Sequence, residues 1–89
     1  MKPPYSRTVF DLICEQAEID PSRIVAIDAG ASLTYRQLVE RSSRVAMRLR
    51  KNGVRRGDRV GLLSDNRAEW LEIFFAAAAL GAIVVPFST

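Results

Sequence analysis

The stretch RVGLLSDNRAEWLEIFFAAAALGAIVVP, residues 59–86, decides the fold. Its opening, Arg59 to Ser64, is a compact apolar run bounded by turn residues, which reads as a short buried strand. Asn66 then stands at an N-cap position with Glu69 at N3, the pattern that satisfies the free N–H groups of a helix start. The helix is apolar around most of its circumference. Trp70, Leu71, Ile73, Phe74 and Phe75 give way to four alanines and Leu80, and Gly81 is a natural residue for the left-handed C′ position. AIVVP is a second strand, ended by Pro86. Strand, crossover helix and strand joined by short connections make a βαβ unit, which requires parallel strands and a right-handed crossover. Such a sheet needs cover on both faces, so the absence of charge from Ile73 to Phe87 is read as burial on both faces. A membrane span needs about 20 predominantly apolar residues, and this run is shorter and interrupted by Gly81 and Pro86. No transmembrane segment is predicted.

Upstream, Thr8 with Asp11 forms a variant capping box, opening a helix to about Glu18. Val9, Leu12, Ile13 and Ala17 recur at helical spacing and are expected to dock on the core. Pro21 ends this helix, because the residue before proline is biased away from helical geometry. Ile24 to Ile27 is a short apolar run, and the turn residues of DAGA lead into a second extended piece, which together read as a β-hairpin. Thr34 with Gln37 is a second capping box, and Gly53 closes the helix it opens. In that helix Tyr35, Leu38, Val39, Ser42, Val45, Ala46 and Leu49 gather into a stripe ~120° wide. Arg36, Glu40, Arg44, Arg48 and Lys51 fall outside it. Arg48, Arg50 and Lys51 also oppose the negative end of the helix dipole.

At 89 residues the chain is long enough for one small domain and too short for two. With 48% hydrophobic and 26% charged residues it has the composition of a packed globular chain rather than a disordered one. The single cysteine, Cys14, has no partner for an internal disulfide, and the absence of histidine excludes thiol–histidine catalysis and histidine metal sites. No apolar run of signal-peptide length follows the N-terminus MKPPYSRTVFDL, so a cytoplasmic location is expected.

The net charge of +3 conceals an asymmetry: between Arg36 and Arg59 nine Lys and Arg face only Glu40 and Asp58, and the remainder is net acidic. A nucleic-acid patch would combine such cations with stacking aromatics. Only Tyr35 is near, and it belongs to the buried stripe, so a solvated helix face is the preferred reading. The RGD of Arg56–Asp58 is assigned to a turn before a strand rather than to adhesion. The turn Ser64–Asn66 has the strand-to-helix placement of many phosphate sites but no glycine for close backbone approach, so capping by Asn66 is preferred. Cys14 lacks a general base and is read as a core-edge residue.

Taken in order, Leu33, Thr34, Tyr35 and Leu38 at the helix start, Gly53, Val54, Gly57, Asp58 and Val60 in the loop and strand, Asn66, and Gly81, Ala82, Val85 and Pro86 carry a resemblance. From about Thr8 onward the chain resembles the start of an adenylate-forming (AMP-binding) enzyme. SDNRAEW is more similar to the acyl-CoA synthetase branch than to the peptide-synthetase branch, while Phe87, Ser88 and Thr89 depart from the Pro-Leu-Asn type of run usual there. The resemblance implies a parent enzyme that activates a small carboxylic acid with Mg-ATP and passes the acyl group from the adenylate to coenzyme A. It also implies that the phosphate loop, the metal-binding acid and the catalytic lysine are not in this segment. Residues 1–89 are therefore expected to be an incomplete N-terminal subdomain of a larger layered α/β domain, with a β-hairpin, helices and a βαβ unit. No catalytic, cofactor-binding or metal residue is assigned, and the segment alone is expected to be inactive. Its expected partner is the C-terminal remainder of the same enzyme, without which an open sheet would favour aggregation. The alternative is a self-contained α/β binding module whose basic face, Arg36 to Arg59, meets an anionic partner.

Overall fold

The computed structural model describes residues 8–28, 31–64 and 67–87. The elements run α1 (Val9–Ile19), β1 (Ile24–Asp28), β2 (Ala31–Thr34), α2 (Tyr35–Lys51), β3 (Arg59–Leu62), α3 (Arg67–Leu80) and β4 (Ile83–Pro86). β1 and β2 pair antiparallel and β3 and β4 pair parallel, so the hairpin and the βαβ unit are both present as separate two-stranded sheets.

Local chemistry explains where the helices start. At α1, Thr8 Oγ1 accepts from the Asp11 N–H while the Asp11 carboxylate accepts from the Thr8 N–H at 2.9 Å. At α2, Thr34 and Gln37 make the same reciprocal pair at 3.2 and 3.0 Å. Two further N–H groups at the start of α2 would be orphans of helix geometry. They donate instead to the preceding loop, Tyr35 to the Arg23 carbonyl and Arg36 to that of Pro21, both at 3.0 Å. The hairpin thereby delivers the chain into α2 at a fixed angle. The proposed cap of α3, Asn66, lies outside the described residues, as do residues 29–30 between β1 and β2.

Gly53 and Gly81 end α2 and α3 with φ of +94° and +73°. At each, the glycine N–H and the one after it bond back to two carbonyls of the last turn: Gly53 to Arg50 and Val54 to Leu49, Gly81 to Ala78 and Ala82 to Ala77. Those are the two bonds of a Schellman ending.

The core forms where α1, the hairpin and α2 meet: Ile13, Leu33 and Leu38 are buried, with Phe10, Val25, Tyr35, Val39, Leu71 and Phe75 among the residues packed around them. α2 packs against α3 more extensively than any other pair of elements. The small side chains Ser42 and Ala46 on α2 and Ala76 and Ala77 on α3 are all buried.

Two expectations are corrected. The docking face of α1 is Phe10, Ile13 and Ala17, whereas Val9 and Leu12 are 40% and 52% exposed. Both faces satisfied helical spacing, and the position of the core selects one. The run from Ile73 to Phe87 is not buried on both faces. Val60 and Leu62 turn toward the helices, but Ile83 and Phe87 are 52% and 60% exposed. α3 covers one side of the β3–β4 pair, and a single helix cannot supply the second layer that parallel strands require.

Candidate functional site

The periodicity that buries Leu38, Ser42 and Ala46 sets the opposite face of α2. Arg41, Arg44, Arg48 and Lys51 recur every three or four residues, forming a stripe ~15 Å long at the helical rise. Where α3 lies alongside, these cations line an open groove of ≈ 670 Å³ together with Val45, Met47 and Glu72. Glu72 Oε1 accepts from Arg41 Nη1 at 3.3 Å, an ion pair that ties the two helices across the groove. Met47 is 72% exposed among the cations, an apolar side chain in an otherwise charged sector. The groove offers positive charge beside apolar surface and contains no nucleophile or general acid–base pair. A second hollow of ≈ 470 Å³ lies between α2, β3 and α3, with a mixed lining in which Leu49, Val60 and Ile73 alternate with Arg48, Glu69 and Glu72.

The other features have structural roles. In the RGD segment, Gly57 has a φ of +86° and the Asp58 N–H donates to the Arg55 carbonyl at 3.0 Å, closing a tight turn. Asp58 Oδ2 accepts from the Arg55 N–H at 2.7 Å, and its carbonyl accepts from the Ile83 N–H at 2.7 Å. The Gly57 N–H donates to the Gly81 carbonyl at 2.9 Å. The tripeptide thus fastens the start of β3 to the end of α3. Burial pushes the Cys14 thiol above its ordinary pKa, and the nearby Asp11 and Glu18 carboxylates push it the same way. It stays a thiol at neutral pH, which suits a packing residue and not a nucleophile.

Of the turn at 64–66, Asp65 and Asn66 lie outside the described residues. Gly61, inside β3, sits under an aromatic ring: a Cβ there would come within 2.9 Å of Phe87 Cε2. Among the described residues no group of acidic or thiol side chains could hold a metal ion, and no helix is long and apolar enough to cross a membrane. Sequence reasoning identified the basic face but missed the groove. Its second wall, Glu72, is distant in sequence, and the one local signal was Met47 interrupting the charged sector.

Comparison with known proteins places these features in context. The AMP-binding enzyme family matches residues 13–89. The 2-succinylbenzoate–CoA ligase of Oceanobacillus iheyensis is 35% identical over 85 residues, which are 94% of this chain and 18% of that protein. Tyrocidine synthase 3 of Brevibacillus parabrevis is 32% identical, the match covering 93% of this chain and 1% of that one. Among solved structures, the N-terminal subdomain of Klebsiella oxytoca NpsA superposes with a TM-score of 0.85 at 29% identity, over 92% of this chain and 22% of its own. The chain spans about a fifth or less of the length of these relatives.

Proposed function

The chain belongs to the AMP-binding enzyme family, and on that premise we propose that it is the N-terminal segment of an ATP-dependent acid–CoA ligase. The observation that carries this reading is the continuous match over residues 13–89, joined to a fold similar to the N-terminal subdomain of a solved relative. In the proposed parent reaction a carboxylate oxygen attacks ATP, pyrophosphate leaves, and an acyl-adenylate forms. The thiolate of coenzyme A then attacks the acyl carbon, forming the thioester as the bond to AMP breaks. The 2-succinylbenzoate–CoA ligase among its relatives favours coenzyme A as the acceptor.

In this reading the segment itself holds no site for ATP, Mg²⁺ or coenzyme A. No acidic cluster is present among them, and the turn from Ser64 to Asn66 has no glycine to cradle phosphate. The segment's part in the parent is architectural. Its β3–β4 pair, backed by α3, has open edges and an open face on which further strands and helices of the same enzyme would build. Family membership favours this reading over a self-contained module.

The test is a chimera in which residues 8–89 replace the corresponding segment of 2-succinylbenzoate–CoA ligase, assayed by carboxylate-dependent exchange of labelled pyrophosphate into ATP. The 89-residue chain alone is expected to give no exchange, and the chimera to give it. Exchange by the chain alone, or a soluble folded chimera without exchange, would overturn the proposal.

A further inference from the structure

The basic groove between α2 and α3 has an apolar component that a solvated helix face does not need. Met47 is 72% exposed, and with Val45 it supplies apolar surface beside Arg44, Arg48 and Lys51. A ligand matched to this groove is acidic on one side and apolar on the other, and ~10–15 Å long if it is a helix of two to three turns. Nucleic acid is a poorer match, because Glu72 places a carboxylate in the groove and no aromatic side chain lines it for stacking.

The same chain carries a surface of the opposite character. Between Thr8 and Ser22 it has four acidic residues and no Lys or Arg. The outer face of α1 bears Leu12 at 52% and Ile19 at 75% exposure, one above the other at a spacing of two turns, with Glu18 exposed beside Ile19 and Asp20 just past the helix end. The inner face of α1 is committed to its own core through Phe10 and Ile13, and among the described residues Leu12 and Ile19 of the outer face stay exposed.

We propose that the α2–α3 groove is a docking surface for the outer face of α1 from a second copy of this chain. Leu12 and Ile19 of the second copy cover Met47 and Val45, and its Glu18 and Asp20 meet Arg44, Arg48 and Lys51. The contact is heterologous: each molecule offers a groove to one neighbour and an α1 face to another, so copies add head to tail. A single helix laid in a groove buries less than the ~1,000 Å² of a stable interface, so association is weak and is promoted by low salt. This contact is independent of the ligase reading.

The test is sedimentation of the 89-residue chain over a range of concentrations at ~0.01 M and ~1 M salt, between which screening of exposed charges becomes strong. Self-association is expected at low salt and its loss at high salt. R44E/R48E on the groove and E18K/I19S on α1 each alter exposed residues, and retention of the fold is checked by circular dichroism. Each is expected to weaken association more than ~10-fold, as like charges then face each other or the apolar contact is lost. An equimolar mixture of the two variants retains one intact groove and one intact α1 face, so it is expected to recover association that each variant alone lacks. Self-association indifferent to salt and to both variants would assign it to the open sheet and overturn the proposal. A monomer at all concentrations in low salt would also overturn it. Loss in R44E/R48E alone would keep the groove but refute α1 as its occupant.

Discussion

Ser42 is completely buried on α2, and its Oγ has no hydrogen-bond partner among the described residues. A buried hydroxyl left unpaired loses its hydration without compensation, at a cost of about 1–3 kcal/mol. Ser42→Ala removes that hydroxyl with little change of shape and is also the better helix former. The variant is expected to gain about 1 kcal/mol, which for a domain of this size raises Tm by ~4–8 °C. Thermal and urea unfolding followed by circular dichroism measure it, and a lowered midpoint would mean that the hydroxyl is satisfied. The wheel of α2 placed Ser42 in the buried stripe. It could not say whether the hydroxyl finds a partner, because partners come from whatever packs opposite.

The helix ends were legible because their chemistry is local: a capping box spans four residues, and a glycine ending takes its bonds from the preceding turn. Gly81 separates local from tertiary constraint. Its φ of +73° makes Gly81→Ala cost about 1–2 kcal/mol from backbone geometry alone. A Cβ there would also come within 3.0 Å of Arg56 Cγ, whereas at Gly53, φ +94°, it would meet nothing within 4 Å. Gly81→Ala is therefore expected to lower stability more than Gly53→Ala in parallel urea titrations. Equal losses would mean that the Arg56 side chain moves aside freely. α1 shows the limit of local reading. Val9, Phe10, Leu12 and Ile13 are all apolar, so spacing alone permits more than one buried face, and contact with Leu33 and Leu38 selects the one through Phe10 and Ile13.

Across the whole molecule, the β3–β4 pair has α3 on one side and exposed apolar side chains beyond it, with Leu63, Ile83 and Phe87 each more than half exposed. Contiguous apolar surface of this kind binds hydrophobic dyes. The 89-residue chain is expected to enhance ANS fluorescence, and I83T/F87S to reduce the enhancement while the far-ultraviolet circular dichroism is retained. Undiminished fluorescence in that variant would place the dye elsewhere, for instance on Leu12 and Ile19. The order of elements, the hairpin, the parallel βαβ unit, the capping boxes of α1 and α2, the glycine stops and the family were all determined by the sequence, because each depends on residue type at short, fixed spacing. Tertiary structure decided the rest: which face of α1 is buried, that among the described residues the β3–β4 pair is covered on one side only, that RGD fastens a strand to a helix end, and that Glu72 closes a groove beside the basic stripe. These depend on residues distant in sequence meeting in space, where burial and charge are set by the neighbour and not by the pattern.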